Sequence, residues 1–112
     1  MDYLSWDEFE RVDLRVGTIV AAEIFKEALK PAIKMQIDFG EEIGIKKSSA
    51  QITDHYEPQT MIGIQVTAVV NFPNKQIGPF ISECLVTGFT PPDGSIILAI
   101  PDQKAVNRSR LT

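Results

Sequence analysis

The sequence has few of the side chains on which metal sites and nucleophilic enzymes depend. Among its 112 residues there is one cysteine, Cys84, and one histidine, His55. A lone cysteine excludes an intrachain disulfide, and two isolated residues cannot supply the ligands of a usual zinc site. Cys84 lies in an apolar run, so we expect a small core residue, and nothing indicates that it meets His55. We therefore predict no enzymatic activity and no cofactor.

Long apolar runs and an excess of basic charge are also absent. The longest apolar stretches, such as residues 66–70 and 96–100, are far shorter than the roughly 20 residues of a transmembrane helix. Residues 1–8 are acidic and lack the apolar stretch of a signal peptide, which predicts a soluble, cytoplasmic protein without membrane insertion. The net charge of −4 argues against non-specific nucleic-acid binding but leaves room for a local basic patch.

No glycine-rich phosphate loop is present, because the glycines are dispersed among predicted turns. We expect glycine to occupy these positions because the backbone there adopts positive φ angles; the residues are Gly40, Gly44, Gly63, Gly78, Gly88 and Gly94. A phosphate-binding enzyme of that kind is therefore not favoured.

Residues 33–39 carry the clearest structural signal, because apolar and polar side chains alternate strictly there. This pattern predicts a strand with one buried and one solvated face. Further strands are predicted at residues 14–23, 43–48, 64–70, 82–88 and 95–100, with a turn at 91–94.

The segments between these strands are less regular. Gly17, inside the first predicted strand, suggests a bulge or a bend. Residues 49–56 are predicted to be a short helix or an irregular segment that Pro58 closes, and residues 71–80 are predicted to be a loop.

A short N-terminal helix is predicted from a capping box at Ser5 and Glu8. Trp6, Phe9 and Val12 could share one face of this helix, which must dock because so short a helix is not stable alone. The pattern and length predict one domain over residues 1–112. We expect an all-β, five-stranded OB-fold Greek-key barrel with short helical additions at the N-terminus and in loops.

Two segments carry chemistry that the predicted fold does not require. Residues 46–51 combine lysines, serines and an amide, which indicates either a charged strand edge that prevents aggregation or a phosphate contact. The residue types alone favour the strand edge. Residues 70–83 place Phe72 and Phe80 beside Lys75, which suits base stacking, an apolar peptide groove, or a simple inward cap on the barrel.

These segments also carry a family resemblance. Residues 9–20, with the run Asp13-Leu14-Arg15-Val16-Gly17-Thr18-Ile19, resemble the opening of the tRNA-binding OB domains appended to methionyl- and phenylalanyl-tRNA synthetases. Residues 37–53 and 68–73, followed by Ile77, Phe80, Ser82 and Glu83, resemble the CsaA-type secretion chaperones. The resemblance covers nearly the whole chain.

The resemblance implies an OB-fold homodimer without enzymatic activity, in which the terminal segments help the contact. It also implies an export-related chaperone for unfolded precursor proteins, or alternatively a stand-alone tRNA-binding protein. The implied binding surface for tRNA or peptide comprises Lys46, Lys47, Ser48, Ser49, Gln51, Asn71, Phe72, Lys75, Phe80 and Ser82.

The sequence departs from this family pattern at the second segment and at the tail. Gln76 stands where relatives commonly carry a basic residue, and Pro79 and Ile81 replace a glycine and a lysine. Fewer cations weaken phosphate binding, whereas Ile81 makes the same surface better suited to peptide. Residues 107–110 also lack the usual Pro-Asn-Gly turn.

Overall fold

The computed structural model describes residues 2–112 and consists mostly of antiparallel strands. One sheet contains β1 (Leu14–Ile24), β2 (Ile33–Asp38), β3 (Ile45–Ala50), β4 (Gln65–Val69) and β7 (Leu85–Val86), in the order β3-β2-β1-β4-β7. Two small pairs are β5 (Lys75–Ile77) with β6 (Phe80–Ser82) and β8 (Gly88–Phe89) with β9 (Ile97–Leu98). The helices are α1 (Trp6–Glu10) and α2 (Pro58–Met61). Within residues 2–112, no helix is long and apolar enough to cross a membrane.

The sheet curls until β3 meets the segment that leads into β7. The backbone N–H of Glu83 donates to the carbonyl of Lys47 at 2.7 Å, and the Glu83 carboxylate accepts from the N–H of Lys47 at 2.9 Å. The hydroxyl of Ser48 donates to the carbonyl of Cys84 at 3.0 Å. This seam nearly closes a five-stranded antiparallel barrel, which confirms the predicted OB-fold architecture.

The alternation in β2 builds the core as predicted. Ile33, Met35, Ile37 and Phe39 are each at most 1% exposed. Gly17 on β1 has no room for a side chain, because an added Cβ would lie 2.5 Å from Cγ2 of Ile37 and 2.7 Å from the Phe39 ring. Gly17 therefore allows β1 to approach the largest core residue.

Three other expectations about the strands need correction. The bulge in β1 lies at Val20, between Ile19 and Ala21, rather than at Gly17. Of the segment predicted at 49–56, residues 49 and 50 belong to the end of β3, and the remainder is irregular as far as Pro58, which begins α2 where its missing N–H has no cost. Gly88 has no positive φ; its lack of a side chain accommodates Ile96 and Ile97 instead.

The segments after β4 are more finely divided than the sequence suggests. Residues 71–80 are not simply a loop, because β5 and β6 pair as a hairpin that turns at Gly78, where φ is 58°. The strand predicted at 82–88 is divided into β7 and β8, and the last strand shortens to β9. Irregular backbone interrupts both of these predicted strands, so the period of two alone could not set their limits.

The N-terminal helix forms with the predicted cap but does not dock as expected. The Ser5 hydroxyl accepts from the Glu8 N–H at 3.1 Å, and the Glu8 carboxylate accepts from the Ser5 N–H at 3.0 Å. However, α1 has no buried residue, and Trp6 is 82% exposed. The docking surface that so short a helix requires is therefore not found within the single chain.

The C-terminal tail lies along the first residues of β1. Arg108 donates its N–H to the carbonyl of Val16 at 2.8 Å, and Val16 donates its own to the carbonyl of Ser109 at 2.9 Å. The carboxylate of Asp13 contacts the guanidinium groups of Arg15 and Arg110. The tail thus covers backbone groups of β1 that would otherwise be open to another strand.

We expect Arg108→Gly to stabilise the protein. Arg108 has a φ of 81°, a left-handed conformation that glycine adopts without steric cost, and its contacts with Val16 and Arg15 use backbone atoms. The free energy of unfolding should rise by up to about 1 kcal/mol in a urea titration. Lys104→Gly in the same tail is the control and should not stabilise. If Arg108→Gly has a lower free energy of unfolding than the wild type, the backbone of Arg108 is not strained in its left-handed conformation.

Candidate functional site

Strands β1, β2 and β3 carry a polar grid on the face opposite the core. Residues directly opposite each other in an antiparallel pair share a face, so the strand register defines the grid. Its two rows are Ala21–Gln36–Lys47 and Glu23–Lys34–Ser49. Because Met35 and Ile37 point into the core, these side chains point outward.

Two phenylalanines stand beside this grid. Phe25 begins the loop after β1 and Phe80 begins β6, and their ring centroids lie 5.4 Å apart at a tilt of 57°. The amine of Lys34 lies 5.3 Å from the centroid of Phe25, and that of Lys47 lies 5.6 Å from the centroid of Phe80. These distances allow cation–π attraction, which holds both amines next to aromatic surface.

One cleft lies over the grid, and we call it the lysine cleft. It has a volume of about 400 Å³ and is lined by Ala21, Ala22, Glu23, Lys34, Met35, Gln36, Lys47 and Phe80. The amine of Lys34 also lies 3.2 Å from the carboxylate of Glu23, which is largely exposed. An exposed ion pair of this kind contributes little stability, so an incoming anion can replace the carboxylate.

A second cleft, the apolar cleft, has a volume of about 580 Å³. It is lined by Phe25, Ala28, Leu29, Lys30 and Ala32 from the loop after β1, by Ser49, Ala50 and Gln51, and by Ile77, Leu85, Val86 and Ile96. Leu29 is fully exposed. The cleft therefore offers apolar surface to a ligand.

A third cleft, the Phe72 cleft, has a volume of about 450 Å³ and is bounded by residues 72–75 together with Ser82, Cys84 and Leu85. Phe72 is 56% exposed, so it does not fold inward to cap the barrel. Leu85 lines both this cleft and the apolar cleft. The two apolar surfaces are thus adjacent.

Most of the predicted site residues lie on these clefts. Lys47 and Phe80 line the lysine cleft, and Gln51 lines the apolar cleft. Ser49 belongs to the outer grid and also borders the apolar cleft. Phe72, Lys75 and Ser82 come together in the Phe72 cleft.

The other three predicted residues are engaged elsewhere. Ser48 is 1% exposed and donates its hydroxyl to the Cys84 carbonyl, so it supports β3 from inside. Lys46 lies opposite Ile37 and is half-buried. The Asn71 amide accepts from the N–H of Asp13 at 3.1 Å and donates to the carbonyl of Arg11 at 2.7 Å. Asn71 therefore fastens the end of β4 to the segment before β1.

Sequence reasoning did not single out Phe25, Lys34 and Gln36. The alternation in β2 already placed Lys34 and Gln36 on the solvated face, and a predicted pairing with β3 would have brought them beside Lys47. No comparable signal exists for Phe25, because its contact with Phe80 joins the loop after β1 to the distant strand β6.

Cys84 is a core residue, as predicted. It is 5% exposed, and its carbonyl accepts from the hydroxyls of Ser48 at 3.0 Å and Ser82 at 3.1 Å. Burial raises the pKa of the Cys84 thiol to about 11. The imidazole of His55 hydrogen bonds to Ser95 rather than to Cys84. A neutral, buried thiol is a poor nucleophile.

Known proteins are similar in sequence to this barrel. The family model described as "Putative tRNA binding domain" matches residues 14–109. A methionine–tRNA ligase of Chlorobium chlorochromatii is 34% identical over 104 residues, which are 93% of this chain and 14% of the ligase. A methionine–tRNA ligase of Methanococcoides burtonii is 35% identical over 98 residues, which are 87% of the chain and 14% of the ligase. The chain thus spans about one seventh of these relatives.

Solved structures match over almost the whole chain. The chaperone CsaA of Bacillus anthracis has a TM-score of 0.93 and 46% identity, and covers 99% of this chain and 100% of its own. The CsaA chaperone protein of Picrophilus torridus has a TM-score of 0.90 and 44% identity, with 98% and 100% coverage. A MetRS-related protein of Pyrococcus horikoshii has a TM-score of 0.87 and 25% identity over both full chains.

The nearly closed barrel and its polar outer face therefore define an OB-fold binding module. The chain belongs to the tRNA-binding domain family, and its resemblance to the CsaA-type chaperones is confirmed.

The stability of the protein should fall between about pH 9 and pH 11. In the unfolded chain the thiol of Cys84 ionises near its ordinary pKa of 9.0, whereas the folded chain retains the proton to about 11. The contribution of the neutral thiol is thus complete below pH 9 and lost as the pH approaches 11. Urea titrations of wild type and Cys84→Ala at pH 8 and pH 11 test this.

The stability difference between wild type and Cys84→Ala should change by up to ~2–3 kcal/mol across this window, in the direction that disfavours the wild type at high pH. Groups that titrate equally in both proteins cancel in this difference. A difference independent of pH would contradict the raised pKa.

Proposed function

We propose that this domain binds tRNA on the face formed by β1, β2 and β3. The observation that carries the proposal is the grouping of Lys34 and Lys47 around the aromatic pair of Phe25 and Phe80. Phe25 is buried, at 3% exposed, and supports the half-buried ring of Phe80, which offers the aromatic surface. Cations beside an accessible aromatic ring supply phosphate contact and base stacking together. Family membership supports tRNA as the nucleic acid.

The net charge of −4 does not oppose this proposal, because the fold brings two lysines together on this face. Lys34 and Lys47 both line the lysine cleft, and its one carboxylate, on Glu23, already pairs with Lys34. Strands and loops of an OB fold bind oligonucleotides at the corresponding place. We further propose that residues 1–112 act as a single, non-catalytic domain in the cytoplasm.

Replacement of Lys47 by glutamine should weaken tRNA binding and reduce its salt dependence. Each phosphate contact releases counterions, so the slope of log affinity against log salt concentration should decrease by about 1. Fluorescence anisotropy with unfractionated tRNA at several salt concentrations measures this slope. Lys104→Gln, in the C-terminal tail, is the matched control. Failure to bind tRNA at low salt, or binding indifferent to salt, would contradict the proposal.

A second proposed function is that of a chaperone for unfolded precursor proteins. The apolar cleft and the Phe72 cleft meet at Leu85, which supports one continuous apolar track for an extended chain. Leu29 is fully exposed beside this track, and Ile81 is 39% exposed on the nearby hairpin. The CsaA chaperones to which the chain is similar support a chaperone role, and we propose that this role is related to protein export.

Leu29→Ser should diminish the suppression of aggregation of a denatured client protein. Leu29 contributes nothing to the core, so the variant should keep its fold and lose only apolar contact with the client. Light scattering during dilution of a denatured enzyme measures the effect. Ile62→Ser, at a half-exposed position after α2, serves as the control. Equal activity of wild type and Leu29→Ser would exclude this cleft as the client site.

We also propose that the protein is a homodimer whose terminal segments take part in the contact. Tyr3 is 93% exposed, Leu4 68% and Trp6 82%, although α1 is well capped. A cleft of about 780 Å³ between Leu4, Val12, Val69 and Phe72 lies next to them. A second copy would remove this apolar surface from water.

Trp6→Glu should convert the dimer into a folded monomer. The new carboxylate would be desolvated in the contact, whereas in the monomer it would be solvated on an exposed helix. Sedimentation equilibrium gives the mass, and circular dichroism checks the fold. Leu29→Glu, which adds the same charge elsewhere, should leave the dimer intact. A wild-type protein that sediments as a monomer would refute the homodimer.

A further inference from the structure

We infer that the lysine cleft holds one unstacked adenine of the RNA, and that Gln36 reads the edge of this base. The inference rests on the proposed tRNA-binding function and specifies which part of the RNA enters the cleft. It assigns a specificity role to Gln36, a residue on β2 between the two lysines.

The size of the cleft favours a single base. Its volume of about 400 Å³ is close to the lower limit of small-ligand clefts. Ala21, which lies opposite Gln36, contributes only a methyl side chain to the lining, so space remains over β1. A nucleobase removed from its stack fits such a site, whereas a duplex is too wide for it.

The wall of the cleft provides a stacking surface. Phe80 is half-buried, and its ring packs against that of Phe25 at a centroid distance of 5.4 Å; the amine of Lys47 lies 5.6 Å from the Phe80 centroid. A side chain held in this way loses little conformational freedom when a base stacks on it. Splayed bases stack on such rings when proteins recognise single-stranded RNA.

The floor of the cleft provides a hydrogen-bonding group. Gln36 is exposed and lies opposite Ala21 on one side and Lys47 on the other. Its amide presents a donor beside an acceptor. By contrast, the amides of Gln65 and Gln76 are engaged by backbone carbonyls within the chain. Gln36 is therefore placed to meet a ligand.

Adenine is the base that this amide matches best. Adenine has a donor beside an acceptor on both its Watson–Crick and its Hoogsteen edge, so the amide can pair with it in either approach. The Hoogsteen edge of guanine has two acceptors, which suit a lysine instead. Lys34, two residues before Gln36, and Lys47, across from it, can contact the phosphates on either side of the base.

The test uses short labelled oligonucleotides of uridine with one central position varied among A, C, G and U. Fluorescence anisotropy at low salt compares wild type, Gln36→Ala and the control Gln103→Ala, whose residue is exposed in the tail. Wild type should prefer the adenine oligonucleotide over the all-uridine one by about fivefold or more. Gln36→Ala should reduce this ratio to about 1, and Gln103→Ala should retain it.

Unfractionated tRNA is titrated in parallel so that the two proposals can fail separately. If tRNA does not bind, the proposed function is wrong, and the inference fails with it. If tRNA binds but no oligonucleotide binds, or the adenine ratio is the same in Gln36→Ala, only the inference is overturned. A guanine preference that Lys47→Gln abolishes would overturn it too, because a lysine would then read the base.

Discussion

The fold and its outer surface both depend on the alternation of side chains along β2. Successive residues of a strand point to opposite faces, so one segment fills the core with Ile33, Met35 and Ile37 and presents Lys34 and Gln36 outside. A slip of one residue in register would place the lysine in the barrel and an isoleucine on the surface. The desolvation of that charge fixes the register, and the register in turn fixes which residues meet across three strands.

The loop after β1 and the hairpin of β5 and β6 border the polar face. The hairpin of β5 and β6 brings Phe80 over the sheet, where it meets Phe25 from the loop after β1. This aromatic contact separates polar from apolar chemistry, since Phe80 lines the lysine cleft and Phe25 the apolar cleft. One small barrel can therefore present two kinds of surface side by side.

The difference between local patterns and long-range contacts explains what could be predicted from the sequence. Local patterns found the β2 strand, the cap at Ser5 and the buried Cys84, because each depends on neighbours along the chain. The resemblance located the segment around Lys47 but could not separate it from Ser48, although alternation within β3 sends these side chains to opposite faces.

Long-range contacts were beyond such patterns. The structural role of Asn71 depends on partners near residues 11–13, and the tail is held to β1 by backbone hydrogen bonds that leave little trace in side-chain chemistry. The hairpin within residues 71–80 was missed because its strands are too short to show a period of two. Those are the places where tertiary structure, not local preference, decided the outcome.

The seam between β3 and the segment before β7 also bears on how the barrel avoids pairing with strands of other proteins. Such pairing is easy where two edges are joined only by backbone hydrogen bonds, since any backbone can supply them. Here the Cys84 carbonyl uses hydroxyls from Ser48 and Ser82, and the Glu83 carboxylate caps the N–H of Lys47. A foreign strand could offer its backbone but not these side chains. The side-chain hydrogen bonds at the seam therefore favour pairing of β3 with this chain's own segment over pairing with an unrelated strand.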